Sequence, residues 1–186
     1  MIAYLKGILL QKTTQYLILE QNGVGYKVFT TPEVLEIPVG QNVALYIYHK
    51  SSDDGQTLFG VSDFAGLQFF ELLISVTGVG PKMALTIISS SKLDILQQAI
   101  INGDSDIFTR MSGVGKKTAE RIILELKSKL ASGVLIGASG GSSDLFDALL
   151  SLGYNPREIR DVVSKVDSSL DTGSQIKEAL KMIAKN

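Results

Sequence analysis

The sequence predicts a multidomain α+β protein: a small N-terminal β-barrel, an all-helical centre, a flexible linker and a small C-terminal helical bundle. Three observations carry this. Up to about residue 63 the apolar residues fall in short runs rich in β-branched and aromatic side chains, and beyond it their period becomes about 3.6. Two glycine turns, 35 residues apart, interrupt the helical pattern. A stretch of Gly, Ser and Ala over residues 131–142 then separates the last part of the chain from the rest.

The expected strands are Ile8-Leu9-Leu10, Tyr16-Leu17-Ile18-Leu19, Gly25-Tyr26-Lys27-Val28-Phe29, Val43-Ala44-Leu45-Tyr46-Ile47-Tyr48 and Thr57-Leu58-Phe59-Gly60-Val61. Asn22-Gly23 suits a hairpin turn, and Pro32 and Pro38 mark a long connection. Five short strands in about 60 residues suit a closed barrel of the oligonucleotide-binding (OB) type. The strand tyrosines have two readings, as platforms for base stacking or as core and rim residues, and the second is the expectation for most of them.

From Phe64 the residues Leu67, Phe70, Leu72 and Ile74 share one helical face, and this helix ends at the first glycine turn. Further helices are expected over residues 82–90, 93–101, 107–111 and 116–130, with Asn102-Gly103 as a stop after the second of these. Each glycine turn is thus flanked by helices, which makes two helix–hairpin–helix units. Val134-Leu135-Ile136 interrupts the small-residue linker. A coil of a dozen residues spans roughly 20 Å, so the C-terminal part is free to move. There, residues 145–152, 156–166 and 176–184 form three short helical patterns, separated by Gly153-Tyr154-Asn155 and Asp171-Thr172-Gly173. The expected parts are therefore 1–63, an OB-type β-barrel; 64–130, an all-α double helix–hairpin–helix domain; 131–142, the linker; and 143–186, a small three-helix bundle. So short a bundle buries only a small core. Leu145, Phe146, Leu149 and Leu150 are at core spacing, yet some apolar side chains of such a bundle must stay exposed.

Composition bounds the function. With 45% hydrophobic and 20% charged residues the chain has enough apolar surface for real cores. A net charge of −1 excludes a generally basic nucleic-acid coat, so any nucleic-acid site must be local. Residues 64–130 carry eight Lys/Arg against six Asp/Glu, while residues 1–63 carry four against six. The absence of cysteine removes disulfides, thiolate nucleophiles and zinc–thiolate sites, and agrees with a reducing compartment. No run of 18 apolar residues and no basic leader with a long apolar core is present, so a cytoplasmic protein without membrane contact is expected.

The chemistry lies in the two turns, Thr77-Gly78-Val79-Gly80-Pro81-Lys82 and Ser112-Gly113-Val114-Gly115-Lys116-Lys117. A helix N-terminus carries unpaired N–H groups and about half a positive charge. Glycine in front of it lets a phosphate approach because no Cβ intervenes. Pro81 gives up an N–H that the helix does not use, and Lys82, Lys116 and Lys117 add mobile positive charge. One such turn is commonly an ordinary connection; a repeated one, with lysine again just inside the helix, points to a phosphate grip. A Walker A loop is excluded because Arg110 stands five residues before Gly115 and Lys117 intervenes before Thr118. A dinucleotide fingerprint is excluded because Met83 and Thr118 occupy its third glycine position.

Lys50-Ser51-Ser52-Asp53-Asp54-Gly55-Gln56 joins the last two strands. On its own the Asp53-Asp54 pair is an ordinary solvated turn. It is a weak catalytic pair, because neighbours at a hairpin tip point apart and no apolar run beside them raises a pKa. The single histidine, His49, has no metal-ligand pattern around it. No cofactor and no metal are expected.

The order of parts and the two motifs resemble the RuvA family, the bacterial Holliday-junction-binding subunits of the RuvAB branch-migration machinery. The stretches Thr77-Gly78-Val79-Gly80-Pro81-Lys82 and Gly113-Val114-Gly115-Lys116-Lys117-Thr118-Ala119-Glu120-Arg121 carry the resemblance. Met1-Ile2-Ala3-Tyr4-Leu5-Lys6-Gly7 and Leu58-Phe59-Gly60 support it, and the match covers essentially the whole chain. The resemblance implies a non-enzymatic homotetramer, or two facing tetramers as an octamer, that grips four duplex arms through their phosphates. It implies that Asp53 and Asp54 belong to an acidic pin at the four-fold axis, although here Ser52 precedes and Gly55 follows where a basic and a longer acidic residue are expected. It also implies that the C-terminal bundle, through residues such as Leu145, Phe146, Leu149 and Leu150, binds the hexameric ATPase RuvB, with the RuvC resolvase as a further partner.

Two rivals come from other classes. A helix–hairpin–helix DNA-repair enzyme needs a catalytic Asp about twenty residues beyond the second hairpin's helix start, but residues 131–143 contain no acidic residue and Asp144 lies beyond them. A protein-only scaffold is the other rival; it binds no form of DNA well.

Overall fold

The computed structural model describes residues 1–53, 55–131, 142–163, 166–167 and 170–183. It divides into two compact units, Met1–Lys129 and Leu130–Asn186. The expected linker lies, apart from its two ends, outside the described residues.

The first unit opens with β1 (Tyr4–Lys12), β2 (Tyr16–Gln21), β3 (Val24–Thr30), β4 (Asn42–Ser52) and β5 (Gly55–Val61), closed into a barrel in the order β1-β2-β3-β5-β4. Successive side chains of a strand point to opposite faces, so alternate residues fill the barrel: Leu5 and Leu9, Leu17 and Leu19, Val43, Leu45 and Ile47, with Val28 and Leu58. Asn22 and Gly23 both take positive φ, 51° and 81°, as the tight turn between two antiparallel strands requires. Closure comes from β3 and β5, which pair in parallel through Val28↔Leu58 and Phe29↔Phe59, whereas the other pairings are antiparallel. Gly7 on β1 runs so close to β2 that a Cβ there would stand 2.0 Å from the Glu20 carbonyl oxygen.

One short helix, α1 (Pro32–Leu35), sits in the β3–β4 connection, where the sequence pattern suggests only a loop. Pro32 presets its first turn, and the Lys12 ammonium donates to the Leu35 and Ile37 carbonyls at 2.6 and 2.9 Å, satisfying its C-terminal end.

Residues Leu58 to Val61 are all buried, against the alternation seen elsewhere. Leu58 and Gly60 face the barrel interior, while Phe59 lies 6.0 Å, ring to ring, from Phe70 of α2 (Phe64–Ile74). The outer face of β5 is thus covered by the first long helix, and barrel and helical segment share one compact unit. Asp63 starts α2 as its N-cap, its carboxylate accepting the Gly66 N–H at 2.7 Å. The helical segment continues as α3 (Pro81–Ser90), α4 (Leu93–Asn102), α5 (Asp106–Thr109) and α6 (Lys116–Ala131). Leu73, Ile87, Leu96, Ile100, Phe108, Ile122 and Leu126 are fully buried.

The second unit contains α7 (Ser142–Ser151), α8 (Pro156–Val163) and α9 (Thr172–Ile183). Leu145, Leu149, Ile159, Val162 and Ala179 form its core, with Tyr154, Ile176 and Leu180 packed around them. Among the described residues no helix is long and apolar enough to cross a membrane.

Candidate nucleic-acid interface

The two glycine turns share one pattern of backbone hydrogen bonds. In the first, Val76 N–H donates to Leu73, Val79 N–H to Val76 and Ala84 N–H to Gly80, all at 3.0 Å. In the second, 35 residues on, Met111 N–H donates to Phe108, Val114 N–H to Met111 and Ala119 N–H to Gly115, at 3.0 to 3.1 Å. Gly78 and Gly113 occupy the same left-handed position, with φ of 91° and 82°. No side chain with a Cβ adopts that conformation without strain, so the glycines follow from the turn geometry.

Burial orients each turn. Val76, Val79 and Val114 are buried and pull the loop onto the helical core, leaving Thr77, Gly78 and Gly80, and Ser112, Gly113 and Gly115, exposed. Val79 and Val114, grouped with the phosphate-binding residues from sequence, use their N–H groups inside the turn, so their part is to anchor it. Gly80 begins α3 without a side-chain cap, and a Cβ placed at Gly80 or Gly115 would meet nothing within 4 Å. Both helix mouths are therefore open, with Lys82, Lys116 and Lys117 exposed in the first turn of α3 and α6.

Sequence reasoning missed how α6 is tied to the first turn. The Arg121 guanidinium donates Nη1–H to the Thr77 carbonyl at 3.0 Å, and Lys129 Nζ donates to Ser75 Oγ at 2.6 Å. The repeat gave no signal for this, because the residue 35 positions before Arg121 is Thr86, whose hydroxyl donates back to the Lys82 carbonyl in its own helix.

The β4–β5 hairpin pairs out to Ser52↔Gly55, so its loop is only two residues long. Ser52 Oγ donates to the Gly55 carbonyl at 3.2 Å, and Gly55 takes φ 123°. Asp53 is exposed at the tip; Asp54 lies outside the described residues. His49, on the same strand, accepts the Ile2 N–H on Nδ1 at 3.1 Å, and its buried Nε2 has no partner among the described residues. No group of three or more His, Asp or Glu side chains among the described residues is placed to hold a metal ion.

Of the bundle residues singled out from sequence, Leu145 and Leu149 fill the core and Leu150 is exposed. The side chain of Phe146 lies outside the described residues.

Comparison with known proteins decides the family. Residues 1–60 match the RuvA N terminal domain, residues 70–128 a SAM-like helix-hairpin-helix tandem, and residues 141–184 the RuvA C-terminal domain. Among curated relatives, the Holliday junction branch migration complex subunit RuvA of Clostridium perfringens is 38% identical, over 98% of this chain and 99% of that protein. The chain belongs to the RuvA family. The Clostridium botulinum subunit of the same name is 39% identical over 97% of this chain and 98% of its own length, and that of Acetivibrio thermocellus is 38% identical over the whole of both. The RuvA N-terminal match falls on the barrel and the helix–hairpin–helix match on both glycine turns. The C-terminal match falls on the three-helix unit.

Proposed function

We propose that this chain binds Holliday junctions as the non-catalytic subunit of a branch-migration complex, holding the four DNA arms open while an ATPase partner drives strand exchange. The observation that carries the reading is the duplicated turn: two open helix mouths with the same backbone bonding, each with exposed glycine and lysine. Such a mouth offers N–H groups and a dipole to a phosphate. Contacts of this kind give affinity without reading bases. Preference for a junction over a duplex then comes from engaging several arms at once, which requires several copies of the chain around one centre.

In this reading the functional unit is a tetramer, alone or as two facing tetramers. Thr77, Gly78, Gly80 and Lys82, with Ser112, Gly113, Gly115, Lys116 and Lys117, bind phosphate, on turns anchored by Val79 and Val114. Asp53 and Asp54 gather at the axis, where their charge repels phosphate backbones and keeps strands from collapsing through the centre. The C-terminal unit recruits RuvB, with Leu150 as an exposed apolar candidate for the contact, and RuvC joins as a further partner. The protein works in the cytoplasm, without a cofactor.

The test is mass measurement of the full-length protein with and without a four-way junction, beside gel shifts on junction, duplex and single-stranded DNA. A four- or eight-copy assembly that prefers the junction is expected. Equal binding to duplex and junction, or binding to none, defeats the proposal, and strand cleavage with added Mg²⁺ would point to the repair-enzyme alternative.

A further inference from the structure

A second cationic feature lies on the barrel beside the first turn. Tyr16 of β2 stands opposite Phe29 of β3 in the strand register, with the rings 5.6 Å apart and edge to face. Lys27 and Phe29 are two residues apart on β3 and share its outer face, since Val28 between them is buried in the barrel. Lys27 Nζ lies 4.1 Å from the Tyr16 ring centroid and 5.4 Å from that of Phe29. Lys82 Nζ, from the first turn of α3, lies 5.7 Å from the same Phe29 centroid. The two ammonium groups therefore stand no more than about 11 Å apart, within the span of a few successive phosphates of one strand. Neither forms an ion pair among the described residues.

We propose that Lys27 is a phosphate contact on the barrel flank, extending the footprint of the first helix mouth along the same DNA strand. This rests on the reading of Lys82 as part of a phosphate grip. Two like charges held around one ring, neither of them in an ion pair among the described residues, form a site for a polyanion. The rings order both lysine stems before the ligand arrives, so less freedom is lost on binding. An acidic protein segment has matching charge, but Lys82 already belongs to a helix mouth suited to phosphate, and DNA is the occupant that reaches both lysines continuously.

The experiment measures junction affinity against KCl concentration for the full-length protein and four variants: Lys27→Gln, Lys27→Arg, Lys82→Gln and Lys117→Gln. Lys27→Gln is expected to weaken binding several-fold at moderate salt and to lower the slope of log K against log salt by about 0.9 for each phosphate no longer neutralised. Lys27→Arg restores the slope. If the two hairpin variants lower the slope and Lys27→Gln does not, the proposal falls while the hairpin reading stands. Unchanged slopes in all variants overturn both. A change in the mass of the DNA-free assembly with Lys27→Gln, or retained DNA binding with loss of an acidic protein partner, also overturns the proposal by placing Lys27 at a protein contact.

Discussion

Arg121, on the helix that begins at the second glycine turn, donates a guanidinium N–H to the backbone carbonyl of Thr77 in the first, at 3.0 Å and across 44 residues of sequence. The two turns are thus not independent copies: the second helix braces the first loop, and Lys129 on the same helix adds a bond to Ser75. A brace between the two turns fixes their spacing, and with it, on the proposed function, the distance between the phosphates they would hold.

Removing that brace should loosen one turn selectively. Arg121→Gln is expected to cost about 1 kcal/mol or less of stability, since the deleted bond is exposed. In the DNA-free protein, amide exchange should quicken at Gly78 and Val79 and stay unchanged at Gly113 and Val114. Equal quickening at both turns would show a general loosening instead of a brace.

The glycines of each turn separate by role. Gly78→Ala and Gly113→Ala force a Cβ into left-handed backbone and should each lower stability by roughly 1–2 kcal/mol. Gly80→Ala and Gly115→Ala meet open space and should cost less, up to about 1 kcal/mol, because alanine caps a helix N-terminus less well than glycine. Yet on the proposed function both should weaken junction binding, because the new methyl would stand where a phosphate is to approach the helix mouth. Thermal melts paired with binding isotherms check this; wild-type affinity in Gly80→Ala/Gly115→Ala would argue that the mouths do not hold phosphate.

Local patterns made most of the fold readable. The alternating Leu17/Leu19 and Val43/Leu45/Ile47 announced strands with one buried face, and Asn22-Gly23 announced its turn. The glycine turns were visible because their chemistry is confined to six residues each. What stayed hidden was non-local. The parallel β3–β5 pair joins segments about 30 residues apart, and the burial of Phe59 depends on Phe70 in another element. The Arg121–Thr77 bond likewise leaves no periodic trace. For α1 a signal did exist, Thr31-Pro32-Glu33 as a helix start, but four residues are too few to show a helical period.

Barrel closure should depend on Gly7. A Cβ there would overlap the Glu20 carbonyl, which belongs to a strand backbone and has no side-chain freedom to yield. Gly7→Ala is expected to prevent folding of the first unit or to cost several kcal/mol. Gly60→Ala meets only the methyl ends of Val28, Leu45 and Ile47, at 2.8–3.2 Å, and should cost about 1–3 kcal/mol. Chemical denaturation of the two variants gives the ranking, and the reverse order would contradict the packing described.

The hairpin tip offers a charge test. Asp53→Asn/Asp54→Asn removes two negative charges per chain without altering shape. If these residues form the proposed pin, binding to DNA should persist or tighten, while preference for junction over duplex declines, because repulsion at the proposed axis would no longer penalise collapsed strands. Competition of labelled junction against unlabelled duplex measures the ratio, and an unaltered ratio removes the pin role from these residues.

The start of α9 should be acid-sensitive through one residue. Asp171 caps α9: its carboxylate accepts the Ser174 hydroxyl at 2.6 Å and the Ser174 N–H at 3.1 Å. Those two bonds, the hydroxyl first, hold its pKa below the ordinary value. A carboxyl lowered in the folded state adds stability that is complete above its unfolded pKa, about 4, and is lost as the pH falls through the folded value. Amide exchange in the full-length protein should therefore quicken at Ala179 below about pH 4, beyond any change at Ile122 in the first unit. Asp171→Asn keeps an oxygen for the Ser174 N–H but has no carboxyl to titrate, so this part of the pH response should vanish. If the acid response at Ala179 is the same in parent and variant, the lability of α9 originates in other groups of the bundle.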